Sequence, residues 1–150
     1  MARLCIEANT CLPASAEAAL RAAREAESWP AARGILEDLC SNLDIARATR
    51  LPICQDTGLV TVFLELGQDV HISGGGLDEA VQEGVRRGYA EGYLRKSVVR
   101  DPLRRVNTGD NTPAALKLRI VPGEGVRITV SPKGAGSENM CRIKMLTPAE

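Results

Sequence analysis

The sequence predicts an α+β fold, with N-terminal helices followed by a mixed, largely antiparallel sheet that is backed by a further helix. Apolar residues recur at helical spacing in the first half of the chain. A run of β-branched and aliphatic residues then predicts a strand, and two later runs alternate between apolar and charged residues. A length of 150 residues suits one domain, so residues 1–150 are expected to fold together.

Two helices are expected in the first third of the chain. Ser15 is a candidate N-cap for a helix that runs to Glu27, and Glu17 and Arg21 stand at the spacing that favours an ion pair. After Pro30, a second set of apolar residues repeats at helical spacing. It comprises Ala32, Ile35, Leu36, Leu39, Leu43 and Ala46. Cys40 lies beside this stripe and is expected to be a packed thiol.

Residues 59–66 predict a strand, with Val60, Val62 and Leu64 on one face. A third helix is expected to begin near Leu77, and it contains three glycines at four-residue spacing. These are Gly84, Gly88 and Gly92. Because each glycine costs a helix roughly 1 kcal/mol relative to alanine, the stripe indicates the close approach of another backbone.

The second half of the chain predicts β-structure. Residues 115–121 and 126–130 alternate apolar and polar side chains around a turn at 122–125, which favours a hairpin with one wet face. A further alternation of Cys141, Ile143 and Met145 with basic residues predicts another strand, with these three side chains facing the core.

The composition of the chain argues against several classes of protein. Nineteen basic residues balance nineteen acidic ones, which argues against a nucleic-acid binder, and no apolar run approaches the length of a membrane span. The five cysteines are widely spaced and include no Cys-x-x-Cys pair. A disulfide framework and a zinc ribbon are therefore disfavoured, and a reducing, cytoplasmic setting is expected.

One polar segment, residues 52–58, lies between the second helix and the first strand and is called the cysteine motif below. It places Cys54, Gln55 and Asp56 in succession. A thiolate is a metal ligand or a nucleophile, and a neighbouring carboxylate can move a proton. The alternative is a simple turn in which Asp56 binds the backbone, and the spacing alone favours that turn.

Two further segments are rich in polar residues and glycine. Residues 94–114, the arginine loop, carry Arg95 and other basic residues that suit carboxylates. For Arg100, Arg104 and Arg105, a solvated charge run is an equal alternative. Residues 133–139, the glycine loop, follow a strand, and their backbone N–H groups could hold an anion. They are not a Walker motif, because Lys133 precedes the glycines.

Taken in order, these segments resemble the iron–sulfur hydro-lyases, namely the class I fumarases and the L-tartrate dehydratases. The matching residues are Pro-Ile-Cys-Gln-Asp-Thr-Gly, then Leu-Arg-Lys-Ser with Asp-Pro-Leu and Asn-Thr-Gly-Asp-Asn-Thr-Pro-Ala, then Lys-Gly-Ala-Gly-Ser-Glu-Asn-Met. The layout is most similar to the family's alpha subunit, from about Leu4 to Glu150. The resemblance implies reversible hydration or dehydration of a small hydroxy-dicarboxylate of the fumarate/malate or tartrate type.

The resemblance also implies a 4Fe-4S cluster, held by three cysteines, whose open iron acts as a Lewis acid. Cys54 matches the first cluster ligand. Gln55 and Asp56 match residues that line the substrate, and Asp56 is the candidate proton donor to the leaving hydroxyl. Arg95 matches a residue that binds a substrate carboxylate, and Gly136 matches a main-chain substrate contact. Lys133 and residues 107–112 match motif positions without an assigned role.

The family's other two cluster cysteines lie beyond the glycine loop, and Cys141 does not match either of them. The chain is therefore expected to be the N-terminal portion of an alpha subunit. Activity would need the remaining alpha segment, a beta subunit, or both, in a hetero- or homo-oligomer. One alternative is a cluster-free domain for binding or assembly. A further alternative to the hydro-lyase is a thiol hydrolase that uses Cys54. It is disfavoured because His71, the only histidine, cannot be identified as the catalytic partner of that thiol.

Overall fold

The computed structural model describes residues 1–136 and 141–148, which form helices and one sheet. The elements in chain order are α1 (Ala2–Thr10), α2 (Ala14–Ala26), α3 (Pro30–Thr49), β1 (Leu59–Gly67), α4 (Leu77–Glu91), β2 (Ala115–Val121) and β3 (Val126–Lys133). This arrangement confirms the α+β prediction with a mixed sheet. Helix α1 was not predicted. Within the described ranges, no helix combines the length and apolar character that crossing a bilayer requires.

Strand β1 is the centre of the sheet, and the strand order is β2-β1-β3. Strand β2 runs parallel to β1, with Leu64 opposite Leu118, and β3 runs antiparallel to it, with Leu64 opposite Ile128. Helix α4 connects β1 to β2, so these three elements form a crossover unit of the kind that parallel strands require.

The predicted hairpin between β2 and β3 is wrong, because β1 lies between these two strands. Residues 122–125 pass across the end of β1. The Gly67 amide donates to the Gly125 carbonyl (2.7 Å), and the Gln68 amide donates to the Val121 carbonyl (2.8 Å). Alternation identified each strand but not its neighbour. The most apolar strand takes the central position, where both of its edges are paired.

The core lies between one face of the sheet and helix α4. Val60 and Val62 are 2% and 0% exposed and belong to one cluster with Val85 and Tyr89. The predicted inward face of β1 is therefore confirmed, and burial of such aliphatic side chains is the main contribution to stability.

Helix α1 packs against the glycine stripe of α4. A Cβ atom placed on Gly88 would lie 2.9 Å from the Ala2 carbonyl oxygen and 2.9 Å from the Cys5 Cβ atom, and Met1 blocks the same space at Gly84. The predicted close approach of another backbone is thereby confirmed. Cys5 is fully buried in this contact.

Helices α2 and α3 pack against each other beside this core, and two details differ from the predictions. Helix α2 begins at Ala14 with Pro13 in the N-cap position, so Ser15 is not its cap, although the Glu17–Arg21 ion pair forms at 2.8 Å. In α3, Cys40 is buried as expected, while Ile35 is 62% exposed.

The strand predicted around Cys141, Ile143 and Met145 does not form. The described residues 141–148 contain no strand, and Ile143 and Met145 are 93% and 86% exposed rather than facing the core. Alternation yields a strand only where a partner edge is available. No described strand pairs with this stretch.

Candidate active site

The three polar segments meet at one end of the sheet, which we call the motif end. The cysteine motif precedes β1, the arginine loop precedes β2, and the glycine loop follows β3. Since β1 and β2 are parallel and β3 is antiparallel, the starts of β1 and β2 coincide with the end of β3. Leu59 is opposite Lys133, and Thr61 is opposite Ala115. The strand topology therefore gathers segments that are distant in the sequence.

Helices α1 and α3 hold the cysteine motif in place. The Ile53 amide donates to the carbonyl of Asn9 at the end of α1 (2.9 Å), and the Asn42 side chain on α3 donates to the Ile53 carbonyl (2.8 Å). Both bonds stand immediately before Cys54. Hydrogen bonds to two helices therefore fix the loop that carries the thiol.

The thiol of Cys54 is exposed to solvent. The backbone N–H of Asp56 points at its Sγ atom (3.4 Å), and the exposed side chain of Gln55 lies 3.5 Å from the same sulfur. Backbone N–H groups aimed at a cysteine sulfur are one of the means by which proteins tune thiolate-bound iron–sulfur clusters. Cys54 is therefore available for ligation and does not pack in the core.

The Asp56 carboxylate connects the cysteine motif to the glycine loop. Its Oδ1 atom accepts the Gly58 amide (3.1 Å), which is the simple turn that spacing alone favoured. Its Oδ2 atom accepts the amide of Ala135 (2.9 Å). Gly134 passes so close that a Cβ atom there would lie 2.9 Å from Oδ2. One carboxylate therefore makes the predicted turn and also contacts a second motif segment.

The cysteine motif also contacts the arginine loop. The Thr57 hydroxyl donates to the Arg95 carbonyl (2.8 Å), which fixes the backbone of Arg95 beside the motif. The Arg95 side chain is exposed, and no described residue pairs with its guanidinium. Gly136 is exposed as well, with open space around it. The predicted residues Ser137 to Asn139 lie outside the described residues.

Sequence reasoning missed two buried polar side chains under this site, Tyr89 and Asn111. The Tyr89 hydroxyl donates toward the carbonyls of Thr57 (2.6 Å) and Gly58 (3.1 Å), and burial raises the pKa of Tyr89 to about 12. Asn111 is 0% exposed. Its position within the Asn-Thr-Gly-Asp-Asn-Thr run marked it as part of a motif, but nothing in the sequence indicated burial.

Asp110 anchors the arginine loop to helix α4. Its carboxylate accepts bonds from the Thr112 hydroxyl (2.7 Å), the Thr112 amide (3.0 Å) and the Arg86 guanidinium (3.0 Å). Desolvation alone would raise the pKa of Asp110, but the Thr112 bonds and then the Arg86 bond outweigh it and hold that pKa at about 2. The end of the arginine loop is thereby tied to the helix.

At the motif end, the described residues include the exposed thiol of Cys54, which is free to act as a ligand, but they supply no complete set of ligands. Among them, no group of three His, Cys, Asp or Glu side chains could hold a metal ion. Cys5 and Cys40 are buried elsewhere. An exposed thiol that receives an N–H bond fits one cluster ligand, and the remaining ligands would have to come from other polypeptide.

His71 is at the opposite end of the sheet from Cys54. It follows the end of β1, whereas Cys54 precedes the start of that strand. Nine residues of β-strand separate the two ends, a distance of roughly 26 Å. His71 therefore cannot act as the base for Cys54, and the chain has no other histidine. This geometry contradicts a Cys–His hydrolase.

Comparison with known proteins identifies the family. The model of the family described as fumarate hydratase (fumerase) matches residues 1–150. The chain belongs to the fumarate hydratase family. It is 37% identical, over 96% of its length, to a Methanocaldococcus jannaschii protein provisionally named L(+)-tartrate dehydratase subunit alpha. It is 38% identical, over 72% of its length, to the anaerobic class I fumarate hydratase of Escherichia coli K12.

A third relative is the L(+)-tartrate dehydratase subunit alpha of Escherichia coli UTI89, which is 28% identical over 95% of the chain. The chain spans about half the length of the alpha subunits, covering 52% and 48% of them, and 20% of the E. coli K12 fumarate hydratase. The resemblance to this family that the three segments predicted is therefore confirmed. The chain matches only part of the length of each of these relatives.

Proposed function

We propose that this chain is the N-terminal portion of an iron–sulfur hydro-lyase that hydrates or dehydrates a small hydroxy-dicarboxylate. The observation that carries the proposal is the surroundings of Cys54. Its exposed sulfur lies beside Asp56, whose carboxylate contacts the glycine loop, and beside the segment bonded to Arg95. Relatives named as fumarate hydratases and tartrate dehydratases support the reaction class and the two alternative substrate types, fumarate/malate and tartrate.

Cys54 is proposed as one of three cysteine ligands to a 4Fe-4S cluster. When bound, such a cluster supplies an electrophilic iron that stabilises negative charge on the substrate oxygens. The chain's own contribution is to hold the sulfur at the surface, with the Asp56 N–H directed at it and Ile53 fixed by two helices. The proposal assigns the other two ligands to polypeptide outside this chain.

Asp56 and Gln55 are proposed to line the substrate, with Asp56 giving a proton to the leaving hydroxyl. Hydroxide leaves poorly, so a proton donor at this point speeds the reaction. The bonds from Gly58 and Ala135 fix the carboxyl group in one orientation. A fixed orientation matters because proton transfer requires hydrogen-bond contact with the reacting oxygen.

Arg95 and Gly136 are proposed to bind the dicarboxylate. A guanidinium group presents a planar fork that matches a carboxylate, and the Arg95 side chain is exposed beside the cysteine motif. The backbone N–H of Gly136, in the glycine loop, would bind a second polar group of the substrate. Lys133 is in the same loop and has contacts within it, but no role in the reaction is assigned to it.

The proposal includes partners and a compartment. The remaining alpha-subunit segment, a beta subunit or both would complete the active site in a hetero- or homo-oligomer. A reducing compartment such as the cytoplasm is proposed, because an exposed cysteine that serves as an iron ligand must stay reduced.

A second candidate function is a cluster-free domain for binding or assembly. The observation that favours it is the absence of a three-ligand group among the described residues. It predicts that neither iron nor sulfide copurifies with the chain under anaerobic conditions, even when the completing polypeptide is present.

The test of the proposed function is turnover by the anaerobically assembled protein. The chain is produced together with the polypeptide that completes it, and fumarate, malate and tartrate are assayed separately. Arg95→Gln should raise the KM for the active dicarboxylate about 100-fold, because it removes a charged bidentate contact. Arg104→Gln, an exposed residue of the same loop, is the control and should leave KM unchanged. Failure of the wild-type assembly to act on any of these acids would overturn the proposal.

A further inference from the structure

Asn111 joins the cysteine motif to the arginine loop through three hydrogen bonds. Its Nδ2 atom donates to the Gly58 carbonyl (3.1 Å), and its Oδ1 atom accepts the amides of Ser97 (2.7 Å) and Val98 (3.2 Å). The side chain is 0% exposed, so water cannot replace these partners. One amide group therefore connects the two segments, and its bond to Gly58 spans 53 residues of the sequence.

The chemistry of this position calls for asparagine. The side chain must donate in one direction and accept in another, which an amide does and a carboxylate or an alkyl group does not. The backbone at Asn111 has a φ of 61°, in the left-handed region. Asparagine tolerates this conformation better than other residues with a side chain, and glycine tolerates it best.

The two segments joined by Asn111 carry the proposed site. Gly58 ends the turn made by Asp56, and Ser97 is two residues beyond Arg95. The Thr57 hydroxyl, which is bonded to the Arg95 carbonyl, forms a second connection between the same segments. Arg95 therefore lies between two fixed points, one at Thr57 and one at the Ser97 and Val98 amides.

We infer that Asn111 is a positioning residue that holds the Arg95 guanidinium at a fixed position relative to Cys54 and Asp56. The inference rests on the proposed function, because it takes Arg95 as the carboxylate-binding group. Asn111 itself is covered by the loops and acts through Arg95 rather than on the substrate. Loss of its bonds should weaken substrate binding more than it slows the chemical step.

The first arm of the test uses the chain itself and measures hydrogen exchange at the Ser97 and Val98 amides. Asn111→Gly removes the acceptor while easing the backbone strain, so the fold should survive, and circular dichroism checks this. Exchange at both amides should become about tenfold faster. Asp101→Ala is the matched variant, because the Asp101 carboxylate accepts the Leu103 and Arg104 amides rather than those of Ser97 and Val98, so both of the latter should stay protected.

The second arm uses the assembled enzyme. Asn111→Gly should raise the KM for the dicarboxylate about tenfold and change kcat less than threefold. Asp101→Ala is the control, since the described bonds of the Asp101 carboxylate are to the Leu103 and Arg104 amides of its own turn, and its KM should equal that of wild type. Asn111→Asp, which keeps the acceptor but loses the donor to Gly58, should also raise KM.

The results separate this inference from the proposed function. If the two amides stay protected in Asn111→Gly, or if kcat falls while KM holds, the positioning role is wrong even when the wild type is active. If the wild-type assembly turns over no dicarboxylate, the proposed function fails, and the role assigned to Asn111 through Arg95 fails with it. The exchange arm still shows whether Asn111 holds the two loops together.

Discussion

The two ends of the sheet differ in how the chain is held. At the motif end, side chains bond backbone groups that are far away in sequence, such as Asp56 with Ala135 and Thr57 with Arg95, which are 79 and 38 residues apart. At the other end, which we call the turn end, a short loop crosses β1 and the bonds are between backbone groups around Gly67 and Gly125. Long-range hydrogen bonds from side chains are therefore found at the end of the sheet where we propose the active site.

The turn end is also less covered. Side chains at this end that share the core-facing side of β1 remain partly exposed, with Leu118 at 50%, Ile120 at 57% and Val126 at 51%. Along the glycine stripe of α4, helix α1 runs from Met1 at Gly84 to Ile6 at Gly92, which is towards the motif end. Residues with the same strand pattern therefore differ in burial, since Leu66 of the central strand is 9% exposed while its partners Ile120 and Val126 on the outer strands are more than half exposed.

The largest expected effect distinguishes two aspartates that both cap turns. Asp56→Asn in the assembled enzyme should lower kcat by roughly 10³-fold, because it removes the proposed proton donor and changes the bonds to Gly58 and Ala135. Asp101→Asn, in a turn of the arginine loop, should leave kcat within twofold. Steady-state kinetics measures both. Equal losses in the two variants would mean that Asp56 has no role beyond its turn.

The next prediction compares two valines on the same face of the sheet. Val62→Ala removes a fully buried side chain near the motif end and should lower the free energy of unfolding by about 2–3 kcal/mol. Val126→Ala at the turn end removes a side chain that is 51% exposed and should cost less than about 1 kcal/mol. Urea denaturation of both variants checks this difference. Similar losses of unfolding free energy in the two variants would contradict the difference in burial between the two positions.

A third prediction concerns two helical glycines. Gly88→Ala should destabilise the chain by about 1–3 kcal/mol, because the new Cβ atom would press on Ala2 and Cys5 of helix α1. Gly34→Ala should instead stabilise it by about 0.5–1 kcal/mol, since nothing lies within 4 Å of that position in helix α3. Thermal unfolding gives the sign of each effect. A stabilising Gly88→Ala would show that α1 does not pack on the stripe.

The smallest effect is a pH dependence at Asp110. Its pKa is held at about 2 in the folded chain, below the ordinary value of 3.8. A lowered carboxyl pKa stabilises the fold above the ordinary value, and that contribution is lost as the pH falls from 3.8 towards 2. Asp110→Asn should therefore lessen the loss of stability over this interval. An unchanged pH profile would mean that Asp110 is not tied to Thr112 and Arg86.

Local patterns predicted much of the fold. Helical spacing located α3, alternation located β1, β2 and β3, and the glycine stripe of α4 indicated a close packing partner. The identity of that partner, α1, was missed, because a stripe within nine residues is too short to identify a helix by its pattern. Strand order was also missed. Which strands pair depends on long-range burial, and alternation in β2 and β3 does not encode it.

The candidate site was predictable only in part. The order of the three segments indicated Cys54, Asp56 and Arg95, and the strand topology then explains how these segments meet. Asn111 and Tyr89 were missed, because their importance comes from burial and from backbone partners more than thirty residues away. Such contacts leave no local periodic signal, whereas a carboxylate or a thiol indicates possible chemistry by its type alone.

The central claim is that the motif end is an iron–sulfur site with Cys54 as a ligand. It is tested most directly by the iron and acid-labile sulfide content of the anaerobically assembled protein. We expect about four of each per chain in wild type and in Cys141→Ser, whose exposed thiol is the matched control. Cys54→Ser should lose most of both. Equal iron and sulfide in Cys54→Ser and wild type, or none in wild type, would contradict the claim.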